Sequence, residues 1–203
     1  MSTTLSNQPV TAQVAASAVP YLYRLSVEQY EAMAETGILS ETDRVELIQG
    51  LLVIKMTKNP PHSVAARAVA KSLDGLVPQG FFVTREDPIR IPGYSEPEPD
   101  AAIIRGESRD CTSRHPEPPD VALLVEVSDS TLEFDRTEKL ALYAAGGVAV
   151  YWIVNLIDRC VEVYSQPKKG RYRKAQVFEP DDQVPVMING AQIGTIPVSE
   201  LLP

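Results

Sequence analysis

The chain has 203 residues, 44% of them hydrophobic and 23% charged, with a formal net charge of −8 at pH 7. These proportions are ordinary for a globular protein, and the length suits a single domain with a substantial core. The negative charge argues against a general binder of nucleic acids or anionic membranes, because such proteins usually carry a basic face. It does not exclude an enzyme that collects carboxylates around a metal ion.

Cysteine content and hydropathy indicate where the protein works. Cys111 and Cys160 are too few for a disulfide framework, and neither belongs to a CxxC pair. No apolar run approaches the roughly 18 residues needed to span a bilayer. The N-terminus also lacks the basic segment and apolar core of a signal peptide. We therefore expect a reduced, cytoplasmic protein that has no membrane partner.

The first elements follow a polar N-terminal stretch. Residues 1–20 show no apolar periodicity, so we expect a disordered tail there and a single domain over residues 21–203. Ser26 is a suitable cap for a helix that Gly37 ends. The chain therefore enters its domain through a short helix.

Strands and a second helix come next. Two short strands are predicted to meet at a turn, Gln49-Gly50. A helix begins at Pro60-Pro61-His62, because proline is tolerated in the first turn of a helix. A strand follows from Phe81, and the proline-rich loop 92–99 leads to the next strand.

Two carboxylates lie on the next two predicted strands. Asp100 opens the apolar run AAII, and Glu126 lies within VALLVEV at 121–127. Side chains alternate along a strand, so Ala122 and Leu124 should share a face with Glu126. An ionised Glu among apolar neighbours is costly unless a cation or another partner compensates it.

The segment after Glu126 opens a helix that carries a lysine. Ser130 and Glu133 fit the Ser-x-x-Glu capping box. Helical spacing then places four side chains on one side: Leu132, Arg136, Lys139 and Tyr143. Two carboxylates from neighbouring strands and a cation on the following helix predict a compact divalent-metal site.

Each of these charged residues also has an ordinary structural interpretation. Asp100 follows Pro99 and could be a turn residue, and Glu126 could accept a backbone amide. Lys139 could lie on a solvated helix face, since charges are mostly exposed. The combination of the three, in this order and on these elements, favours a site.

The last third of the chain is rich in strands. VAVYWIVNL at 148–156 is the most β-prone run, and later turns predict antiparallel hairpins, one of them with the basic tip KKGRYRK at 168–174. Helices and strands thus alternate before the hairpins. This order predicts an α/β fold in which helices flank a mixed β-sheet, with extra C-terminal β-hairpins.

With these residues in hand, the chain resembles the Uma2-type family, a branch of the PD-(D/E)XK restriction-endonuclease-like superfamily, over roughly residues 21–203. The matching pieces are VELIQG at 45–50, Pro60-Pro61-His62, Pro99-Asp100, LLVEVSDST at 123–131, Lys139 with Tyr143, and VYWIVN at 150–155. The resemblance implies a restriction-endonuclease-like sheet and an endonuclease that depends on Mg²⁺ or Mn²⁺ and hydrolyses phosphodiester bonds of DNA.

The resemblance also implies a ligand set for the metal. Asp100 matches the Asp of the family's PD motif and Glu126 its second acidic position, and both would bind the metal directly. The carbonyl of Val127 would be a third ligand. Glu46 matches an acidic residue that precedes the core strands, and it would reach the metal directly or through water.

The lysine of the superfamily pattern is displaced in this chain. Ser128 stands two residues after Glu126, where the E-x-K pattern has Lys. The resemblance moves the lysine role to the following helix, which points to Lys139. His62 and Tyr143 are secondary candidates; His62 opens a helix and Tyr143 lies one turn beyond Lys139, so each also has a packing or capping explanation.

Two predictions about function remain open from sequence alone. The alternative to an endonuclease is an inactive nuclease-fold module that binds nucleic acid or protein, which the acidic balance mildly favours. Superfamily members often form homodimers, and the β-rich segment 151–155 is a candidate interface. We expect nucleic acid, in the first place DNA, as the partner.

Overall fold

The computed structural model describes residues 22–40 and 42–203. The predicted tail (1–20) and Tyr21, the predicted start of the domain, lie outside the described residues. The helices are α1 (Val27–Glu35), α2 (Pro60–Asp74), α3 (Leu132–Phe134), α4 (Leu140–Gly146) and α5 (Val198–Leu201). The strands are β1 (Val45–Ile48), β2 (Leu51–Ile54), β3 (Phe81–Thr84), β4 (Ala101–Arg105), β5 (Val121–Ser128), β6 (Val150–Asn155), β7 (Cys160–Lys168), β8 (Arg171–Phe178), β9 (Gln183–Ile188) and β10 (Ala191–Pro197).

Three shorter segments complete the described structure. Turns of 3₁₀-helix cover Ser108–Cys111 and Pro118–Asp120, and a π-helical segment, Asp135–Lys139, joins α3 to α4. None of the helices in the described ranges is long and apolar enough to cross a membrane.

A six-stranded sheet in the order β3-β4-β5-β6-β7-β8 forms the centre of the fold. Strands β5 and β6 are parallel, and the remaining neighbours are antiparallel. Two separate hairpins, β1-β2 and β9-β10, lie outside this sheet. The prediction of a mixed sheet flanked by helices, with extra C-terminal hairpins, is therefore confirmed.

Each face of the central sheet is covered by its own layer. On one face α2, α5 and the β9-β10 hairpin pack over a core that contains Val125, Val127 and Trp152. On the other face α4 packs over Leu124 and Tyr151. Because β5 is buried on both faces, its sequence is a nearly continuous apolar run and not a strict alternation.

The prediction that Ala122 shares a face with Glu126 is wrong. The register between β4 and β5 shifts by one residue, so that Ile104 pairs with Val121. Ala122 is consequently the extra residue of a bulge and packs with the core of the opposite face. Leu124 remains on the side of Glu126, beyond the bulge.

Within the hairpin region predicted as a dimer interface, the run 151–155 itself offers no surface to a partner. Strand β6 lies between β5 and β7 in the central sheet, and all of its residues are buried. Its high β-propensity reflects a central position in the core, which leaves no surface for a partner. The homodimer stays a prediction without an assigned surface.

The predicted capping box at Ser130 does not form. Both the N–H and the hydroxyl of Ser130 contact Asp129 Oδ1. Helix α3 begins after Thr131, which makes no side-chain capping bond. Ser130 thus lies one residue before the N-cap position, and its hydroxyl donates to Asp129.

Candidate active site

A cavity of about 510 Å³ lies where the start of β4 meets the carboxyl end of β5. These two ends adjoin because Ala101 pairs with Val125 in an antiparallel register. The β1-β2 hairpin, the segment 55–58, the start of α2 and the π-helical segment form its walls. Six of the predicted site residues line it: Glu46, His62, Asp100, Glu126, Val127 and Lys139. Tyr143 does not line the cavity, but its hydroxyl donates a hydrogen bond to Glu126.

Asp100 is a buried carboxylate with a partner on each oxygen. Its Oδ2 accepts the N–H of Val127 at 2.8 Å and lies 3.4 Å from His62 Nε2. Its Oδ1 lies 2.8 Å from Lys58 Nζ. Burial alone would raise the pKa of Asp100, but the hydrogen bond and charge of His62 and the charge of Lys58 outweigh it and lower the pKa to about 2. Asp100 is therefore ionised and fixed to strand β5.

Glu126 is about as buried as Asp100, but its neighbours compensate the charge of its carboxylate less fully. Its Oε1 accepts hydrogen bonds from Lys139 Nζ at 2.9 Å and from the Tyr143 hydroxyl at 2.8 Å. Burial raises its pKa to about 8; the positive charge of Lys139 opposes this rise, and nearby carboxylates, including Asp135, add to it. The cost expected for a Glu inside an apolar strand is thus only partly offset by its lysine.

Lys139 is held between two carboxylates. Besides Glu126, its Nζ lies 3.2 Å from Glu46 Oε1. Glu46 is anchored in turn, because its Oε2 accepts the N–H of Glu98 at 3.0 Å. Burial would lower the pKa of Lys139, but the negative charges of Glu126, Glu46 and Asp135 have the larger effect and raise the pKa above its usual value. The side chain therefore stays charged. The lysine is a fixed cation on the floor of the cavity.

The two secondary candidates have different surroundings. The N–H of His62 bonds to Asn59, the N-cap of α2, and the ring lies against Asp100. Within the described residues its Nδ1 is buried without a hydrogen-bond partner. Burial would lower the pKa of the ring, but the hydrogen bond and charge of Asp100 outweigh it and raise the pKa. Tyr143 keeps its proton, because burial and the Glu126 charge raise its pKa well above the usual value. It is a hydrogen-bond donor to Glu126 and does more than pack.

Two site residues escaped the sequence analysis. Lys58, in the irregular segment after β2, contacts Asp100, and no periodic pattern marks it. Asp135 lines the cavity and accepts hydrogen bonds from the Ser128 and Thr131 hydroxyls, both at 2.7 Å. A Ser-x-x-x-x-x-x-Asp spacing is not a recognisable signal, so only the folded chain shows this contact.

The predicted helix face is wrong for Arg136. The segment Asp135–Lys139 is π-helical, and its wider turn changes which side chains face the cavity. Asp135 therefore turns inward, while Arg136 turns away and pairs with Glu162 at 2.5 Å and Asp158 at 3.1 Å. Arg136 is engaged outside the cavity and does not supplement Lys139.

The cavity carries an excess of negative charge. Among the residues that the structure describes, seven carboxylates line it, namely Glu46, Glu86, Glu98, Asp100, Glu126, Asp129 and Asp135, against four Lys or Arg side chains, namely Arg44, Lys55, Lys58 and Lys139. Hard divalent cations such as Mg²⁺ prefer oxygen ligands of this kind. The charge balance and the donor chemistry therefore suit a divalent cation.

The possible metal ligands in the cavity lie farther apart than in a metal-bound site. Across residues 22–40 and 42–203, no three His, Cys, Asp or Glu side chains converge closely enough to hold a metal. Asp100 and Glu126 supply two carboxylates, and Val127 lines the cavity between them. The N–H and carbonyl of a strand residue point to the same side, so the Val127 carbonyl lies on the side of Asp100. Two carboxylates and this carbonyl are the ligands that fit best.

Comparison with known proteins agrees with the fold. A structure titled "putative nuclease belonging to DUF820", from Anabaena variabilis ATCC 29413, matches with a TM-score of 0.66 and 17% identity, covering 87% of this chain and 97% of that chain. At this identity the likeness shows the fold alone. No curated protein matches the chain in sequence. The sequence model of the Uma2 family, described as "Putative restriction endonuclease", matches residues 27–196. The chain therefore belongs to the Uma2 family.

Proposed function

We propose that the protein is an endonuclease that hydrolyses phosphodiester bonds of DNA and depends on Mg²⁺ or Mn²⁺. The observation that carries this proposal is the meeting of Asp100, Glu126 and Lys139 in one cavity with excess negative charge. Membership of the Uma2 family supports a nuclease. DNA as the substrate, the metal and the cytoplasmic location are parts of the proposal.

Asp100, Glu126 and the carbonyl of Val127 would hold the cation, and Glu46 would contact it directly or through water. When bound, such a cation supplies Lewis-acid polarisation of a phosphate. Asp100 suits this role because it stays ionised and its Oδ2 is fixed by the Val127 N–H. Glu126 suits it because burial leaves its charge only partly compensated by Lys139.

Lys139 would stabilise charge on the reacting phosphate. Its ammonium group is preorganised by Glu126 and Glu46 inside a largely buried site. A fixed positive charge in such surroundings stabilises developing negative charge more than it would in water, because nothing has to reorganise. Tyr143 donates to the same oxygen of Glu126 as Lys139 and would keep the carboxyl group oriented.

Plasmid cleavage in Mn²⁺ tests this function. We expect the wild type to nick or linearise the plasmid, chelation to stop cleavage, and Asp100→Asn to lower the rate at least about a hundredfold, the size typical of a lost electrostatic group in an active site. Glu162→Gln is the matched control, because Glu162 is a buried carboxylate outside the cavity. Cleavage retained by Asp100→Asn would contradict the proposal.

The alternative is an inactive interaction module with a nuclease fold. The net charge of −8 favours it, as do the two lysines that lie on the carboxylate oxygens of the site. A gel-shift measurement of DNA binding, made beside the cleavage assay, separates the two functions. Nucleic-acid binding without cleavage by the wild type, in either metal, would establish the alternative.

A further inference from the structure

Two cations contact the two acidic residues of the site, and they differ in how firmly they are held. Lys139 has a side chain only 8% exposed and lies between two buried carboxylates. The side chain of Lys58 is 31% exposed and projects from the irregular segment between β2 and α2. Lys139 is fixed, while Lys58 can move without disturbing the core.

Lys58 contacts Oδ1 of Asp100, the oxygen that Val127 and His62 do not engage. The other oxygen, Oδ2, already accepts the Val127 N–H and lies beside His62. Within the described part of the chain, the hydrogen-bond and ion-pair partner of Oδ1 is Lys58, at 2.8 Å. A cation that takes Oδ1 of Asp100 would therefore displace the lysine.

A second carboxylate is ready to keep Lys58 at the cavity mouth. Glu86 Oε1 lies 3.0 Å from Lys58 Nζ, and its side chain is 60% exposed. Both residues line the cavity. If Lys58 leaves Asp100, its ion pair with Glu86 still holds the ammonium group at the cavity. There it faces any phosphate that enters.

We propose that Lys58 is a second phosphate-binding residue of this site and that it exchanges Asp100 for substrate phosphate when a divalent cation binds. This inference rests on the proposed function. Before the cation arrives, Lys58 neutralises Asp100 and competes with the metal. Afterwards the two positive charges repel each other, and the lysine pairs with Glu86 and the nucleic-acid backbone.

Metal affinity provides a test that does not need cleavage. In a calorimetric Mn²⁺ titration, Lys58→Gln should bind the metal about fivefold more tightly than the wild type, the equivalent of roughly 1 kcal/mol for a lost competing ion pair. Lys58→Arg keeps the charge and should retain wild-type affinity. Lys55→Gln is the matched control, because Lys55 is equally exposed but pairs with Glu98 at 2.6 Å, away from Asp100.

Nucleic-acid binding tests the second part of the proposal, that Lys58 binds substrate phosphate. With Ca²⁺ in place of Mn²⁺, the affinity for a short fluorescent oligonucleotide should depend less steeply on salt in Lys58→Gln, by about one phosphate contact or 0.7–0.9 in the log–log slope. Lys55→Gln should keep the wild-type slope.

The outcomes separate the two proposals. Equal Mn²⁺ affinity in the wild type and Lys58→Gln, or an unchanged salt slope, would overturn the role of Lys58 and leave the metal site intact. A wild type that binds no Mn²⁺ would overturn the metal-dependent function and this inference with it. Tighter metal binding together with a shallower slope supports the exchange.

Discussion

Replacing Glu126 by Gln should stabilise the protein at high pH. Burial, opposed by Lys139, raises the pKa of Glu126 from 4.5 to about 8, so the folded protein binds a proton that the unfolded chain releases. The wild type should therefore lose stability as pH rises between these values, by at most about 5 kcal/mol. Allowing for relaxation around the carboxylate, we expect about 2–4 kcal/mol. Gln has nearly the shape and the neutrality of the protonated acid, so Glu126→Gln should keep this stability.

Urea unfolding in a chelating buffer measures this effect. The free energies of unfolding of wild type and Glu126→Gln should be similar near pH 5, and the variant should be more stable by about 2–4 kcal/mol near pH 8.5. Adding Mn²⁺ at the higher pH should restore stability to the wild type but not to Glu126→Gln. The reason is that a ligand that binds only the folded state stabilises it. A difference between the proteins that does not change with pH would refute the reasoning.

Glu162 provides a matched control whose pKa is shifted in the opposite direction. It pairs with Ile153, as Glu126 does, and both carboxylates are 4% exposed. Burial would raise the pKa of Glu162, but hydrogen bonds led by Arg136 lower it. A carboxylate whose pKa is lowered by folding stabilises the folded state at pH values above its ordinary pKa. This stabilisation is lost as the pH falls through the lowered pKa. Glu162→Gln should thus destabilise the fold by about 2–3 kcal/mol at both pH values.

Three further changes test neighbouring parts of the account. Lys139→Met leaves Glu126 without its cation and should lower the free energy of unfolding at pH 8.5 by about 3–5 kcal/mol in urea; a loss below 1 kcal/mol would contradict the buried pair. Gly50→Ala should lower the free energy of unfolding by about 1–3 kcal/mol in the same measurement, because Gly50 has φ +80° and a Cβ there would lie 2.5 Å from Arg24 Cβ. An unchanged urea midpoint would contradict this prediction. Neutralising the basic tip 168–174 should leave cleavage of a short oligonucleotide within about twofold, because the sheet register places the tip about 20 Å from the cavity; a tenfold loss would contradict this.

The sequence predicts those site residues whose signal is local. Glu126 stands out because an ionisable side chain interrupts an apolar strand, and Asp100 because it opens a strand directly after Pro99. The structure places both in one cavity with Lys139 and Glu46. Their roles in catalysis stay predictions, but their proximity follows from the antiparallel pairing of β4 with β5.

The remaining site residues depend on contacts that no local pattern encodes. Lys58 meets Asp100 across 42 residues of sequence, from a segment without regular structure. Asp135 faces the cavity because one turn is π-helical, whereas α-helical spacing placed Arg136 there. A one-residue bulge likewise moved Ala122 to the other face. In each case a local departure from the regular period changes which side chain points inward.

The most direct test of the central claim is a crystal structure grown with Mn²⁺, in which anomalous scattering locates the metal. We predict one strong peak bound by Asp100, Glu126 and the Val127 carbonyl, with Lys58 turned from Asp100 to Glu86. A peak at other residues, or a protein that crystallises in Mn²⁺ with Lys58 still on Asp100 and no peak in the cavity, would contradict the account.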